Sequence, residues 1–555
     1  MKMIKCFILI CLLLDINNIS AQLIQKKEIL DSFETAKQQK DDILLKHHFL
    51  IETIEQIDTF MKKRNISFLT NERDLNFVLS VYNQLVQATD SIFADSNSKK
   101  HIIFYELNDA YNIYNKNLAL LHHAYILTKN SDYAKTAFLL TENYKSIELW
   151  QKDSIKGEIN ILHKKKLPEI QKKMTVNQAF VSYHCGISKE KTDSSYAFVF
   201  TKDSISFQSI TVDTTIINQY INELNHFGVS KHYTQYAYRL YQNLVAPLSI
   251  NNNKTNIDEL IIIASGYLSL IPFEALLTKN NNETNFAKMS YLLQKYAISY
   301  DLSLPFWNEQ KSNLIIKEAV SNFLVVSPDF STTNLTPLQY NTNLAEKISQ
   351  NYQKTTLLNK SKATIVNFKQ AAQQANIIHL ASHASLATDD VAERHIVLSD
   401  GNLLSSHFTN TIFQNCDLAV LACCDTGNGK YEQGVGIRSL NYDFRKHGAK
   451  CVLATLWSVD DKATSVLLKD FYFFLEQGKR KSIALQAAKL KYLKETEYDT
   501  PYFWAGLVLN GQNNAIALQN NTFVAQSTLD VLYVLIVFFL FLIIMLTLGV
   551  AKTKQ

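Results

Sequence analysis

The sequence predicts an α/β fold built on a doubly wound, mostly parallel β-sheet. In the second half of the chain, short apolar runs alternate with segments of helical periodicity, as expected for strands joined by crossover helices. Two of the apolar runs end in a histidine and in a pair of cysteines, and the carboxyl edge of such sheets is where sites form. Parallel strands are expected at Glu259–Ala264, Asn322–Ser327, Asn376–Ala381, Asp417–Ala422, Lys450–Leu456 and Ala505–Leu509.

Helices between these strands are expected to cover both faces of the sheet, in a domain that spans residues 258–515. Apolar residues at three- and four-residue spacing indicate the helices. They are predicted at Thr342–Tyr352, Lys362–Gln374, Gly436–His447, Lys462–Gln477 and Ser482–Glu495.

Residues 174–257, which precede this domain, combine alternating strands with two helices. Alternation of apolar and polar residues predicts antiparallel strands at three segments. These are Ala179–Tyr183, Tyr196–Phe200 and Ser204–Phe207, followed by helices at Ile216–Phe227 and Lys231–Leu244.

Residues 22–173 have helical periodicity throughout. Tyr111–Thr128 and Tyr133–Trp150, joined at Asn130, predict a helical hairpin of the length of one tetratricopeptide unit. No clean 34-residue period precedes it, so we expect few and degenerate repeats. Two roles are equally compatible with this region: a helical bundle that only supports the sheet, and a surface that binds a protein partner.

Both ends of the chain contain apolar segments. Residues 1–21 carry Lys2 and Lys5 before a short apolar stretch, which predicts a signal peptide cleaved after Ala21. After a linker at 516–528, residues 529–551 are long enough to cross a bilayer of about 30 Å. The tail, 552–555, contains lysines, which favour the cytoplasmic side. We therefore expect a single-pass membrane protein with its globular body outside the cytoplasm.

Composition excludes two classes of protein. Seven cysteines in 555 residues do not form a disulfide framework, and the net charge of +5 is mild. Since no basic stripe with interleaved aromatic residues is present, no nucleic-acid partner is expected.

A histidine and a cysteine end two of the predicted parallel strands. His383 follows Asn376–Ala381 and Cys424 follows Asp417–Ala422, separated by the length of one strand-crossover-strand unit. Neighbouring strands would bring both side chains to one sheet edge, where a Cys/His pair can act as an activated nucleophile and its base. Because side chains alternate along a strand, Cys423 and Cys424 cannot both face His383. Cys423 is expected to pack in the core, as are His379 and Cys451.

Four ordered motifs resemble the CHAT domain, a caspase-like module associated with tetratricopeptide repeats. They are His-Leu-Ala-Ser-His ending at His383, Leu-Ala-Cys-Cys-Asp-Thr-Gly ending at Gly427, Gly-Val-Gly-Ile from Gly434, and the run from Cys451 to Asp461. The resemblance implies a caspase-like cysteine peptidase and a leading pseudo-domain at residues 174–257. It aligns the family's nucleophile with Cys424. No cofactor is expected, and no metal either, since no Cys/His cluster with zinc-ligand spacing is present.

The resemblance also implies the oxyanion donors. In the family the catalytic histidine is commonly followed by glycine, whereas Ala384 follows here. Alanine supplies the N–H but reaches positive φ at a cost, so an inactive enzyme is the alternative. The other expected donors are the N–H groups of Cys424 and Gly427.

Three acidic residues lie beside the strand ends expected to flank the cleft. Asp425, Asp460 and Asp461 would suit a pocket for Arg or Lys, and solvated turn carboxylates are the competing interpretation. The protein is thus predicted to be a membrane-anchored endopeptidase that acts on a protein or peptide substrate and is regulated through its helical region. An inactive scaffold and a membrane-tethered adaptor are the alternatives.

Overall fold

The computed structural model describes the central part of the chain. It covers Leu79, residues 106–153, 164–186, 194–311 and 322–518, and Ile536, with short gaps at 227, 231, 252–255, 281–282, 332–333, 353, 386–393, 410, 424–429 and 433–435. The predicted signal peptide and, apart from Ile536, the predicted membrane segment lie outside these residues. Within them, no helix is long and apolar enough to cross a membrane.

Two long helices follow one another in the chain, α1 (Glu106–Thr128) and α2 (Ser131–Asp153). They meet at a tight turn in which Lys129 has a φ of 55°. One stripe of α1 at helical spacing is buried: Leu118, Leu121 and Ala124. The helices predicted at Tyr111–Thr128 and Tyr133–Trp150, with a turn between them, are confirmed.

The described residues fall into two compact units, with the boundary immediately before Glu142, inside α2. Beyond it, a carboxylate oxygen of Glu142 accepts the N–H of Leu304 at 2.6 Å. Lys145 Nζ donates to Ser182 Oγ at 2.8 Å, and both lysine and glutamate are buried. These contacts make the second half of α2 part of the α/β unit, although its residues lie within the segment 22–173 assigned to the helical region.

Most strands of the α/β unit form one mixed sheet of eleven strands. The strands are β1 (Gln178–His184), β2 (Ser195–Thr201), β3 (Ile205–Ile210), β4 (Glu259–Ile263), β5 (Ala297–Tyr300), β6 (Phe323–Ser327), β7 (Thr355–Asn359), β8 (Ile377–Ala381), β9 (Ala384–Ser385), β10 (His395–Leu398), β11 (Gly401–Leu404), β12 (Leu418–Ala422), β13 (Lys430–Glu432), β14 (Gly436–Arg438), β15 (Cys451–Thr455) and β16 (Leu507–Gly511). Their order in the large sheet is β3-β2-β1-β4-β5-β16-β15-β12-β8-β6-β7. Two small sheets lie outside it, β11-β10-β9 and β13-β14.

Helices connect these strands. They are α3 (Leu167–Lys173), α4 (Thr214–Leu224), α5 (His232–Leu244), α6 (Leu304–Lys311), α7 (Gln339–Asn351), α8 (Ile365–Ala372), α9 (Leu440–Lys446), α10 (Asp461–Glu476), α11 (Lys481–Glu495) and α12 (Pro501–Trp504). The doubly wound, mostly parallel α/β architecture is confirmed, with the antiparallel strands β2 and β3 at one edge.

Two predictions about individual elements were wrong. The last strand, β16, pairs in parallel with β5 but runs antiparallel to β15, from which three helices, α10, α11 and α12, separate it in the chain. The helix predicted at Gly436–His447 begins only at Leu440: its first residues form β14, and the Ser439 hydroxyl caps the helix by accepting the N–H of Tyr442. The strands β5, β7, β9, β10, β11, β13 and β14 were not among the predicted strands.

Side chains of β8 and β12 alternate between two apolar clusters, one on each face of the sheet. Ala381 and Ala422 pack in one cluster, whereas Leu380 and Cys423 pack in the other. Every residue of both strands is buried. This explains why each strand reads as a continuous apolar run.

A buried ion pair connects α9 to the end of β5. Arg445 Nη2 donates to both carboxylate oxygens of Asp301, at 3.0 and 3.3 Å, and the two side chains are 1% and 0% exposed. Arg445 Nη1 donates to the carbonyls of Ala449 and Lys450. Gly511, with a φ of 108°, allows this approach, since a Cβ there would lie 2.5 Å from Nη1.

We expect Arg445→Met to lower the free energy of unfolding by about 3–5 kcal/mol, because it leaves the Asp301 carboxylate buried without its partner. Urea unfolding followed by circular dichroism measures the loss. The double variant Arg445→Met/Asp301→Leu should lose less than the single variant. Equal stability of wild type and Arg445→Met would contradict the buried-pair account.

Candidate active site

The carboxyl ends of β8 and β12 lie side by side at one edge of the sheet. The two strands pair in parallel over five positions, from Leu418 beside Ile377 to Ala422 beside Ala381. His383 comes two residues after Ala381 in the sequence, as Cys424 comes two residues after Ala422. The last paired position is therefore equally distant along the chain from both predicted catalytic residues.

The imidazole of His383 is held by the loop that follows β6. Its Nε2 lies 2.8 Å from the carbonyl oxygen of Thr336. The ring of Phe330 contacts it edge-on, with 4.7 Å between ring centroids and 68° between planes. Both contacts come from the segment between β6 and α7, so a third element of the same sheet edge orients the histidine.

The Thr336 contact determines which ring nitrogen carries the proton. A carbonyl oxygen only accepts, so Nε2 must be protonated and donate. In the neutral imidazole the lone pair then lies on Nδ1, which is the atom left to accept a proton. The backbone carbonyl thus fulfils the orienting role that a carboxylate has in a Ser-His-Asp triad.

Cys423 is a core residue, as its position in the alternation predicts. Its side chain is 2% exposed, and Sγ donates to the carbonyl of Leu380 at 3.4 Å. The hydroxyl of Thr455, at the end of β15, donates to the Cys423 carbonyl at 2.6 Å. This bond holds the backbone carbonyl of Cys423.

Three predicted site residues, Cys424, Asp425 and Gly427, lie outside the described residues. Their roles as nucleophile, pocket carboxylate and oxyanion donor stay predictions.

Ala384 begins β9 and has the extended backbone of a strand. It lies opposite Ile396 of β10, and Val397 N–H donates to the carbonyl of His383 at 2.9 Å. In an antiparallel pair this pattern makes Ala384 and Ile396 a non-hydrogen-bonded position, so the Ala384 N–H points away from β10. Ala384 does not adopt a positive φ, and the replacement of glycine there therefore imposes no backbone strain.

The two acidic residues after β15 both cap helices. Asp460 is the N-cap of α10, and its Oδ1 accepts the N–H of Ala463 at 2.8 Å. Asp461 binds the start of α7, where it accepts from the N–H of Tyr340 at 2.8 Å and from Asn341 Nδ2 at 2.6 Å. These contacts match the turn-carboxylate interpretation, and a substrate-binding role for either residue stays a prediction.

The remaining candidate side chains are structural. His379 is fully buried, with Nδ1 3.0 Å from the Tyr472 hydroxyl, and burial lowers its pKa to about 3. Cys451 is also fully buried, and burial raises its pKa to about 11. Both are core residues, as predicted. In the part of the chain that the structure describes, no group of three or more His, Cys, Asp or Glu side chains could hold a metal ion.

An ion pair joins the segments that follow the two strand ends. Arg394, at the start of β10, donates to Asp443 of α9, with 3.0 Å between Nη2 and Oδ2. The same helix carries Arg445, which is fixed to Asp301. Helix α9 is thereby bound to the residue before β10 and to the end of β5.

Sequence reasoning missed Thr336, Thr455 and Phe330. Thr336 acts through a backbone carbonyl, which every residue has, so no side-chain pattern signals it. Thr455 lies in the predicted strand Lys450–Leu456. Its polar hydroxyl near the end of an apolar run is the feature that could have indicated a hydrogen bond to a neighbouring strand end.

One family model matches the chain. Residues 234–512, half of the chain, match the model of the CHAT domain. Human (Homo sapiens) tetratricopeptide repeat protein 28 is 32% identical over 96 residues, which are 17% of this chain and 4% of that protein.

Two solved structures are similar at low sequence identity. The Saccharomyces cerevisiae separase–securin complex matches with a TM-score of 0.48 and 11% identity, covering 88% of this chain and 40% of the matched one. The Arg-specific cysteine proteinase gingipain R matches with a TM-score of 0.34 and 9% identity, covering 54% and 75%. This chain therefore spans only a small part of its curated relative and less than half of the separase chain.

We expect iodoacetamide to modify Cys424 in the folded protein and to spare Cys423, Cys416 and Cys451. All three spared thiols are buried, and burial raises the pKa of Cys416 and Cys451, which removes reactive thiolate. Peptide mass mapping after a short reaction checks this. Modification of Cys423 at the rate of Cys424 would contradict the assignment of Cys423 to the core.

Proposed function

Because the chain belongs to the CHAT domain family, we propose that it is a caspase-like cysteine endopeptidase that cleaves protein substrates through Cys424 and His383. The observation that carries the proposal is the parallel register of β8 and β12, which ends at Ala381 and Ala422, two residues before each proposed catalytic residue. The bond between His383 Nε2 and the Thr336 carbonyl supports it, since this bond leaves Nδ1 free to act as the base.

The proposed reaction has two steps. His383 Nδ1 takes the thiol proton of Cys424, and the thiolate attacks the peptide carbonyl carbon. The tetrahedral intermediate collapses when the imidazolium gives its proton to the leaving amine, which forms an acyl-enzyme and a new N-terminus. Water, deprotonated by Nδ1, then attacks the thioester and releases the acid and the free thiol.

The oxyanion would be held by backbone N–H groups at the two strand ends. The Ala384 N–H is directed away from β10 and is available for this role. Cys424 and Gly427 would supply the other donors. Loss of one such donor typically costs about 100-fold or more in rate.

The substrate preference that we propose is for Arg or Lys at the cleaved bond, with Asp425 as the leading pocket carboxylate. Asp425 follows the nucleophile directly, whereas the carboxylates of Asp460 and Asp461 already accept helix N–H groups. The helical region, which is joined to the α/β unit through α2, would receive a protein partner that regulates cleavage.

We expect Cys424→Ala and His383→Ala each to abolish cleavage of a peptide library while changing the free energy of unfolding by less than about 2 kcal/mol. Cys423→Ala should stay active, because Cys423 only packs in the core. Residues 22–525 serve as the enzyme, and mass spectrometry of the library identifies the products. Were the Cys424 variant active and the Cys423 variant inactive, the nucleophile would be the other cysteine.

The competing function is an inactive scaffold or a membrane-tethered adaptor. Such a protein would show no cleavage and no labelling by a cysteine-reactive peptide probe, and Cys424→Ala would match wild type in cells. Alanine in place of glycine after His383 would argue for inactivity if this position needed a positive φ. Ala384 has an extended, unstrained backbone, which weakens that argument.

We propose that residues 529–551 anchor the protein in the cytoplasmic membrane, with the body outside and residues 552–555 inside. The segment is apolar apart from Asp530 and is followed by Lys552 and Lys554. A protease added to intact spheroplasts should therefore degrade the body and leave a tag after Gln555 protected. Protection of the body with loss of the tag would reverse the orientation.

A further inference from the structure

The helix α7 has no capping side chain of its own. Its N-cap residue, Leu338, makes no side-chain hydrogen bond to the first turn, and no acidic residue lies in that turn. The first N–H groups of a helix need acceptors. An N-cap aspartate, asparagine, serine or threonine would supply one.

Asp461 supplies these acceptors from another helix. Its Oδ2 accepts the N–H of Tyr340 at 2.8 Å, and its Oδ1 accepts the N–H of Asn341 at 3.2 Å. Oδ1 also accepts from Asn341 Nδ2 at 2.6 Å. The carboxylate thus acts as an N-cap in trans, and its negative charge lies where the helix dipole favours it.

The first turn of α7, which Asp461 binds, follows directly on the loop that binds His383. Thr336, whose carbonyl binds His383 Nε2, lies four residues before Tyr340, and the rigid Pro337 follows it. On the other side of this start, Ser327 Oγ at the end of β6 lies 3.3 Å from Thr342 Oγ1. The position of the Thr336 carbonyl therefore depends on where α7 begins.

We propose that Asp461 is a positioning residue, which places the Thr336 carbonyl against His383 by capping α7. The inference rests on the proposed function of the same site. It also assigns Asp461 away from the substrate pocket: both of its oxygens are occupied by three hydrogen bonds, and a basic substrate side chain would have to displace them.

Without the carboxylate, two N–H groups at the start of α7 lose their acceptor and the first turn loosens. The Thr336 carbonyl then shifts, and the imidazole loses the bond that holds its tautomer and its orientation. Misplacement of a catalytic group by about 1 Å can cost about 100-fold in rate. The loss should fall on kcat, because no substrate contact is removed.

A matched control exists at the other end of the same helix pair. The hydroxyl of Tyr352, just after α7, donates to Glu476 Oε1 at the end of α10, at 2.6 Å. Tyr352→Phe removes one contact between α7 and α10 far from His383 along both helices. It should leave kcat within about threefold of wild type.

The experiment measures kcat and KM on paired Arg and Leu peptides for Asp461→Ala, Asp461→Asn and Tyr352→Phe. Asp461→Ala should lower kcat about 10- to 100-fold on both peptides alike, with KM nearly unchanged. Asp461→Asn keeps one acceptor oxygen and should lose less. Adding Leu338→Asp to Asp461→Ala gives α7 its own N-cap and should restore most of kcat.

A second readout is the pH dependence of Cys424 alkylation, which needs no peptide substrate. In the wild type, pairing with His383 should extend reactive thiolate below the usual thiol pKa of about 8.5. Asp461→Ala should move the profile toward that value, and Tyr352→Phe should leave it in place. If Asp461→Ala is too unstable to assay, Asp461→Asn and the Leu338→Asp/Asp461→Ala double variant are compared with wild type and Tyr352→Phe instead.

Four outcomes overturn the inference. Selective loss on the Arg peptide would make Asp461 a substrate-pocket residue, and an unchanged kcat and alkylation profile would make it a structural cap alone. If His383→Ala leaves the alkylation profile unchanged, the Cys/His pair itself is wrong and the inference falls with it. A profile that responds to His383→Ala but not to Asp461→Ala removes the positioning role and keeps the proposed function.

Discussion

The parallel pairing of β8 with β12 is the interaction on which the candidate site depends. Both strands are buried throughout, and each is paired on both of its edges, to β6 and β15 respectively as well as to each other. A slip of one residue would move every side chain to the opposite face. Such a slip would bring the His379 side chain into the other apolar cluster. It is strongly disfavoured, because both faces of the sheet are packed with apolar residues. The register at Ala381 and Ala422 is thus a consequence of the core.

Two largely buried ion pairs hold α9 in place. Arg394 pairs with Asp443, and Arg445 pairs with Asp301, so α9 binds to the chain after His383 and to the end of β5. Taking such charges out of water is costly, and each pair must be complete. Their contribution here is geometric, since they hold one helix against the residue before β10 and against the end of β5.

Carboxylates at the start of α10 cap two helices near the site. Asp460 caps its own helix, whereas Asp461 caps α7, the helix that follows the histidine-binding loop. Acidic residues next to a catalytic motif can therefore satisfy backbone N–H groups as readily as they can form a substrate pocket. The hydrogen-bond donors that already contact the carboxylate oxygens distinguish the two roles.

The sequence by itself determined the α/β class, the segments of β4, β6, β8, β12 and β15, and the core positions of Cys423 and His379. These follow from local patterns: a buried parallel strand is a continuous apolar run, a helix has its own period, and side chains alternate along a strand. Only the tertiary structure decided the antiparallel pairing of β16 with β15, the pair between Asp301 and Arg445, and the contacts of Thr336 and Asp461. Each depends on groups more than forty residues apart in the chain, and local periodicity records whether a side chain is buried but not which distant group it meets. For Thr336 the acting group is a backbone carbonyl, which no residue type distinguishes.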